Sequence, residues 1–178
     1  MFRGRPVRFV VPVDTSGSVG SGSSDNLVKL EGTKARAWRN AEGRLCASPE
    51  LLCHLGCETP RFNYPLYLGK KYRYFYAISS DVDLEQPGTL IKVDTYTKTQ
   101  ITWSESGAFP SEPIFVPRTD SEDEDDGVVL SAVLWADNPR AVAMVALDAK
   151  SFIELGRVLF EAPGPVPKCL HGWYASRY

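Results

Sequence analysis

Short runs of β-branched and aromatic residues recur along this chain, while a helical hydrophobic period is nearly absent. That pattern limits the fold more than any other feature. Tyr72-Arg73-Tyr74-Phe75-Tyr76, Leu90-Ile91-Lys92-Val93-Asp94 and Val128-Val129-Leu130-Ser131 are of strand length and rich in residues that suit a pleated surface. The pattern predicts strands near residues 8–13, 27–30, 34–38, 72–78, 90–94, 100–103, 114–116, 128–135, 141–148, 155–160 and 170–174. Successive side chains on a strand alternate faces, so Tyr72, Tyr74 and Tyr76 are expected on one face. Ser16-Gly17-Ser18, Gly20-Ser21-Gly22, Gln86-Pro87-Gly88 and Asp137-Asn138-Pro139 supply turn chemistry between the runs. One short helical turn is predicted at residues 149–154, where Lys150-Ser151-Phe152 follows a strand.

Many short strands at near-even spacing point to a sandwich, a barrel or propeller blades. A repeated hairpin favours blades. Leu90-Ile91-Lys92-Val93-Asp94 leads through Thr97-Lys98-Thr99 to Ile101-Thr102-Trp103, and Val145-Ala146-Leu147-Asp148 leads through Ala149-Lys150 to Leu155-Gly156-Arg157-Val158. Each is a strand ending in Asp, a polar turn and a return strand. A four-stranded blade takes about 40–50 residues, so a chain of this length supplies about three or four. The Gly/Ser-rich stretch 14–25 holds one apolar residue, Val19, and reads as a flexible surface loop within one domain.

With 178 residues the chain is long enough to bury a core as one domain. A net charge of −2, with no basic stripe, argues against nucleic acid and against binding to anionic lipid through a polybasic run. No apolar run reaches the roughly 18–20 residues a membrane-spanning helix needs. The start, Met1-Phe2-Arg3-Gly4-Arg5-Pro6, lacks the apolar stretch of a secretory signal. Four cysteines in such a chain read as free thiols. The expectation is a soluble protein of a reducing, cytoplasmic compartment.

The chain has only two histidines, which narrows the possible chemistry. His171 lies in Cys169-Leu170-His171-Gly172-Trp173-Tyr174. It reads either as a packed, hydrogen-bonded residue or as a metal ligand, the commonest role of an imidazole in an apolar pocket. Gly172 beside it would admit close approach of a backbone or ligand. A ligating imidazole usually donates its other N–H to a carboxylate or carbonyl, and two carboxylates stand in apolar company. Glu112 lies in Phe109-Pro110-Ser111-Glu112-Pro113-Ile114-Phe115, and Glu58 in Gly56-Cys57-Glu58-Thr59-Pro60. Either is also explained as a surface turn beside proline. Cys53, His54 and Cys57 have zinc-like spacing but no second ligand pair, and a buried thiol is the ordinary alternative. Ser121-Glu122-Asp123-Glu124-Asp125-Asp126-Gly127 does not follow the spacing of a helix-flanked calcium loop and reads as a solvated acidic loop. No P-loop, dinucleotide fingerprint or nucleophile elbow is present.

Several ordered blocks together resemble the C-terminal part of the carotenoid cleavage oxygenases, the animal β-carotene-cleaving, retinal-forming branch above all. They are Gly56-Cys57-Glu58-Thr59-Pro60-Arg61-Phe62-Asn63-Tyr64, Tyr72-Arg73-Tyr74-Phe75-Tyr76, Leu90-Ile91-Lys92-Val93-Asp94, Pro110-Ser111-Glu112-Pro113-Ile114-Phe115-Val116-Pro117, Asp125-Asp126-Gly127-Val128-Val129-Leu130-Ser131, Leu147-Asp148-Ala149-Lys150-Ser151-Phe152-Ile153-Glu154-Leu155-Gly156-Arg157 and Leu170-His171-Gly172. The resemblance runs from about Phe9 to the end. It implies an all-β fold, the C-terminal blades of a seven-bladed β-propeller, with residues 1–178 part of one propeller domain. It implies iron(II), Fe(2+), held on the propeller axis by four histidines, three of them fixed by glutamates. His171 matches the last of those ligands. Glu112 and Glu58 match the glutamates, Glu112 as the partner of His171 and Glu58 as the partner of a histidine this chain does not contain. The other three ligands lie upstream in the family, so the resemblance implies the C-terminal third of such an enzyme. Its reaction adds O2 across a double bond of a carotenoid or retinoid substrate to give aldehydes. Trp173 and Tyr174 become candidates for the wall of a substrate tunnel, and peripheral membrane contact would come from parts absent here. Two other functions fit the same residues: a non-catalytic β-rich module that binds an apolar ligand or partner, and a retinoid isomerase of the same family.

Overall fold

The computed structural model describes residues 4–13, 25–79 and 88–175, and among them the chain is all-β apart from one four-residue helix. The Gly/Ser-rich loop and the turns expected at residues 14–24 and 86–87 lie outside the described residues. Two compact units can be distinguished, Arg5–His54 and Leu55–Tyr178 with Met1–Gly4. Among the described residues no helix is long and apolar enough to cross a membrane.

In the unit Arg5–His54, strand β1 (Val7–Arg8) pairs antiparallel with β4 (Glu50–Leu51), and β2 (Arg36–Arg39) with β3 (Leu45–Ser48). The β2–β3 hairpin turns on Asn40, whose Oδ1 accepts the amides of Glu42 at 3.1 Å and Arg44 at 2.9 Å, with Gly43 at a φ of 78°. An Asn side chain bonding its own downstream amides is a compact way to start a turn. Buried Glu50 gathers Arg8 Nη2 at 2.6 Å, Thr33 Oγ1 at 2.7 Å and the Lys34 amide at 2.9 Å. The strand expected at 27–30 does not form. Asn26 Oδ1 instead accepts the amides of Val28 and Ala37, so a side chain takes the place of a ladder. Of the strand expected at 8–13, only Val7–Arg8 pairs, and Phe9 and Val11 are exposed.

The second unit holds two antiparallel sheets. In the first, β5 (Glu58–Arg61), β6 (Tyr74–Ser79), β7 (Thr89–Asp94) and β8 (Thr99–Ser104) lie side by side in sequence order as a four-stranded antiparallel meander. Helix α1 (Tyr64–Tyr67) interrupts the connection from β5 to β6. In the second sheet the order is β10 (Ile114–Pro117), β11 (Gly127–Trp135), β12 (Ala141–Asp148) and β13 (Glu154–Glu161), and β9 (Ala108–Pro110) pairs with the far end of β11. Burial along β11 alternates residue by residue, as period-two patterning demands when one face meets a core. That core joins Tyr76, Ile78 and Leu90 of the first sheet to Phe115, Val129, Val133, Val145 and Leu147 of the second, with Phe152. Tyr76 stacks on Phe115 at 5.4 Å and on Phe152 at 6.1 Å between ring centroids, and its hydroxyl donates to the Ala149 carbonyl at 3.3 Å.

The repeated hairpin is a structural repeat. Asp94 Oδ1 accepts the amides of Tyr96 and Thr97, and Asp148 Oδ1 accepts the amide and hydroxyl of Ser151. Four residues on, Lys98 and Phe152 each donate an amide back to the Asp carbonyl at 2.8 Å, with φ of 61° and 62°. This geometry also corrects the helical turn expected at 149–154. The left-handed Phe152 closes a hairpin and stops any right-handed helix. Nor do residues 170–174 form the expected strand; the segment is irregular and is held by side chains. Tyr74 and Tyr76 share β6, but Tyr72 precedes it and stacks on Phe62 at 4.6 Å. Strands β3, β4, β5 and β9 are short pieces that the periodicity did not show.

Candidate functional site

A break in one edge of β11 creates the site. β10 pairs with its first residues, Ile114 opposite Leu130 through Pro117 opposite Gly127, and β9 with its last, Pro110 opposite Val133 through Ala108 opposite Trp135. Between them Ser111-Glu112-Pro113 leaves the ladder. Prolines 110 and 113 are fully buried and have no N–H to give to a neighbouring strand, which favours a gap at this point. The Ser111 amide donates to the Ala132 carbonyl at 2.7 Å, and the Ser131 hydroxyl donates to the Ser111 carbonyl at 2.8 Å. These bonds satisfy the backbone at the break, where Glu112 sits only 5% exposed.

A buried carboxylate is costly unless paired, and Glu112 is paired on both oxygens. Arg61 Nε donates to Oε1 at 2.8 Å and Nη2 to Oε2 at 3.1 Å, a two-pronged ion pair. The Gly172 amide donates to Oε2 at 2.8 Å, and His171 Nδ1 lies 3.3 Å from Oε1. Burial alone would push the Glu112 carboxyl up, but the bonds from Arg61, Gly172 and His171 outweigh it and hold the group below the usual carboxylate range. An ionised carboxylate only accepts, so in this contact His171 Nδ1 is the donor. This carboxylate–imidazole arrangement fixes a ring for use as a ligand.

Arg61 is the member that sequence reasoning missed. Its signal lay in the block Glu58-Thr59-Pro60-Arg61, where a bulge interrupts the pairing of β5 with β6. Glu58 faces Ile78 and Arg61 faces Tyr76, so Thr59 and Pro60 of β5 together stand opposite Ala77 of β6. Thr59 absorbs the extra residue at a φ of 48°. An added residue of this kind re-aims a side chain, here bringing Glu58 and Arg61 to one face. Glu58 itself is exposed and takes no part in the Glu112 cluster.

Gly172 packs on β10, where a Cβ would stand 3.3 Å from Ile114 Cγ1 and so be crowded. Beside it opens a cleft of about 440 Å3, lined mainly by Phe62, Tyr64, Ile114, Phe115, Trp173 and Tyr174, with Arg61 as its charged member. Trp173 is 83% exposed and Tyr174 half exposed, so both border the cleft with free ring surface.

The remaining candidates lie elsewhere. His54 is exposed in the unit Arg5–His54, Cys53 is buried, and none of the four cysteines is in a disulfide. The acidic loop is not simply solvated. Glu124 Oε1 accepts the amides of Arg73 and Tyr74, Asp125 pairs with the buried Lys92 at 2.6 Å, and Asp123 pairs with Lys150 at 2.6 Å. Its carboxylates serve as fasteners for the sheet beside them.

Residues 1–176 match the family model described as RPE65: Retinal pigment epithelial membrane protein. The chain belongs to the RPE65/carotenoid oxygenase family. It is 57% identical over 151 residues to the carotenoid isomerooxygenase of Drosophila melanogaster, covering 84% of this chain and 24% of that protein. To the carotenoid isomerooxygenase of Galleria mellonella it is 47% identical, covering 99% and 30%. To the β,β-carotene 15,15'-dioxygenase of Mus musculus it is 43% identical, covering 87% and 26%. Among solved structures it resembles a cobalt-substituted Synechocystis ACO and an ACO/RPE65 chimera, each at a TM-score of 0.65 and 28% identity over 80% of this chain and 30% of the other. The chain thus spans about a quarter to a third of the length of the relatives it matches. The RPE65/carotenoid oxygenase family is metal-dependent. Among the described residues, no group of three or more His, Cys, Asp or Glu is placed to hold a metal ion. His171 alone is fewer protein ligands than the three of a 2-His-1-carboxylate site.

Proposed function

We propose that this chain is the part of an iron(II)-dependent carotenoid oxygenase that contributes one histidine to the metal centre and one wall to the substrate cleft. The observation that carries this reading is the buried Glu112 carboxylate against His171 Nδ1, while Gly172, Trp173 and Tyr174, which follow His171, line an aromatic cleft. In the whole enzyme the metal would supply activation of O2. The overall change is cleavage of one polyene C=C bond and formation of two C=O bonds, one oxygen atom to each aldehyde. The residues of this chain do the positioning. Glu112 holds the His171 ring by accepting from Nδ1. Phe62, Tyr64, Trp173 and Tyr174 offer apolar surface for a flat, conjugated chain. Glu58 is assigned to orient a histidine outside this chain. The names of the insect relatives favour a substrate handled by cleavage together with isomerisation. Four cysteines, none of them in a disulfide, support a reducing, cytoplasmic setting.

The test replaces the matching stretch of the full-length Drosophila relative with this chain and measures carotenoid turnover and bound iron. Turnover in the hybrid, with loss of both turnover and iron in the His171→Ala version, supports the reading. A His171→Ala hybrid that keeps its iron and its turnover overturns it.

A further inference from the structure

The Gly172 segment has no strand to lie in, and its bonds to Glu112 and Arg61 tie it to the sheets. Glu112 must serve His171 with one oxygen and Gly172 with the other, 3.3 Å and 2.8 Å away. Both are served only while the carboxylate keeps one plane. A carboxyl group turns readily about its last bond, and the backbone break at Ser111-Glu112-Pro113 does not set that torsion.

We infer that Arg61 is a positioning residue: its two-pronged pairing locks the Glu112 carboxylate in the plane from which Oε1 meets His171 and Oε2 meets Gly172. Three observations converge on it. The two prongs, Nε to Oε1 and Nη2 to Oε2, use both carboxylate oxygens at 2.8 and 3.1 Å. The same Nη2 lies 3.4 Å from the Gly172 carbonyl, so Arg61 holds the peptide that Glu112 also holds. The left-handed Thr59 and its bulge aim Arg61 there, a conformation a β-branched residue adopts only when its surroundings impose it. A planar guanidinium can define a plane, whereas a lysine ammonium is a point charge and cannot.

The inference rests on the reading of His171 as a ligand, and one experiment separates the two. The whole chain, labelled with nitrogen-15, is observed by NMR at neutral pH through its ring nitrogens, with His54 as the internal reference. The wild-type chain is expected to show His171 protonated at Nδ1 alone. In Arg61→Leu the His171 ring becomes a mixture of tautomers, and the Gly172 amide exchanges on the order of tenfold faster, the loss of about one hydrogen bond. Arg61→Lys keeps the charge and the fold and is expected to show the same mixture, which covers the case in which Arg61→Leu fails to fold. A single Nδ1–H tautomer retained in Arg61→Lys overturns the positioning role of Arg61 and leaves the ligand reading standing. A mixture in the wild-type chain overturns both.

Discussion

Glu112 meets His171 across 59 positions of sequence, with Oε1 3.3 Å from Nδ1. The contact exists because two prolines open a gap in a sheet edge and a chain segment with no strand of its own closes over it. The carboxylate is buried and the imidazole is 65% exposed, so the pair presents a ring anchored from within and open on its outer side.

Removing the charge at Glu112 while keeping its shape tests that anchor. Its carboxyl is held below the usual value of 4.5 in the folded chain. Its contribution is therefore present above that value and is lost as pH falls through the lowered one. Glu112→Gln is expected to cost about 1–3 kcal/mol at neutral pH, because Arg61 loses its ionised partner. It should also flatten the fall in stability below pH 4.5. Urea unfolding of both forms across this range checks it.

Asp94 and Asp148 occupy the same place in two hairpins, and acid should reach them in the same way. Burial works against ionisation of Asp94, but Arg73 and the amides of Tyr96 and Thr97 prevail and hold its carboxyl at about 2, down from 3.8. The sign follows from a depressed pKa: the stabilisation is complete above 3.8 and is lost as pH falls towards 2. It amounts to roughly 2 kcal/mol. Asp94→Asn should lower stability at neutral pH and lessen the acid sensitivity, as followed by thermal unfolding at several pH values.

Tyr76 separates the stacking contribution from that of the hydroxyl. Tyr76→Phe removes only the donor to the Ala149 carbonyl and is expected to cost about 1 kcal/mol. Tyr76→Ala empties the space between Phe115 and Phe152 and is expected to cost about 3–5 kcal/mol. Equal losses in chemical denaturation would show that the rings are not packed as described.

Gly127 begins β11 where no side chain fits. A Cβ there would stand 2.2 Å from the Val116 carbonyl oxygen, a backbone atom that moves only if β10 moves. Gly127→Ala is expected to destabilise the chain by about 1–3 kcal/mol or more and to loosen the β10–β11 pairing. Faster amide exchange of Phe115 and Val116 checks it.

Period-two hydrophobicity determined the long strands. Residues 141–148 form β12 with the bounds expected of them, and β6, β7, β8, β11 and β13 differ from expectation only at their ends. Local pattern suffices for β11 and β12 because burial alternates along them, one face meeting the core that their own residues specify. The aspartate-headed hairpins were legible for the same reason, since an Asx turn is a local object. The short strands β5 and β9 were not legible. Neither has enough residues to show a period, and each exists only because a partner in the sheet is already in place. At the site, sequence drew attention to His171, Glu112, Trp173 and Tyr174, by residue type and by resemblance. Tertiary structure alone decided that Arg61 completes the carboxylate, that residues 170–174 leave the sheet, and that Glu58 stands apart from the cluster. Those outcomes depend on contacts between residues 51 to 111 positions apart, a bulge at Thr59 and a break at Ser111-Glu112-Pro113. The energy of such pairings comes from proximity in space, and a linear pattern of residue types carries no record of it.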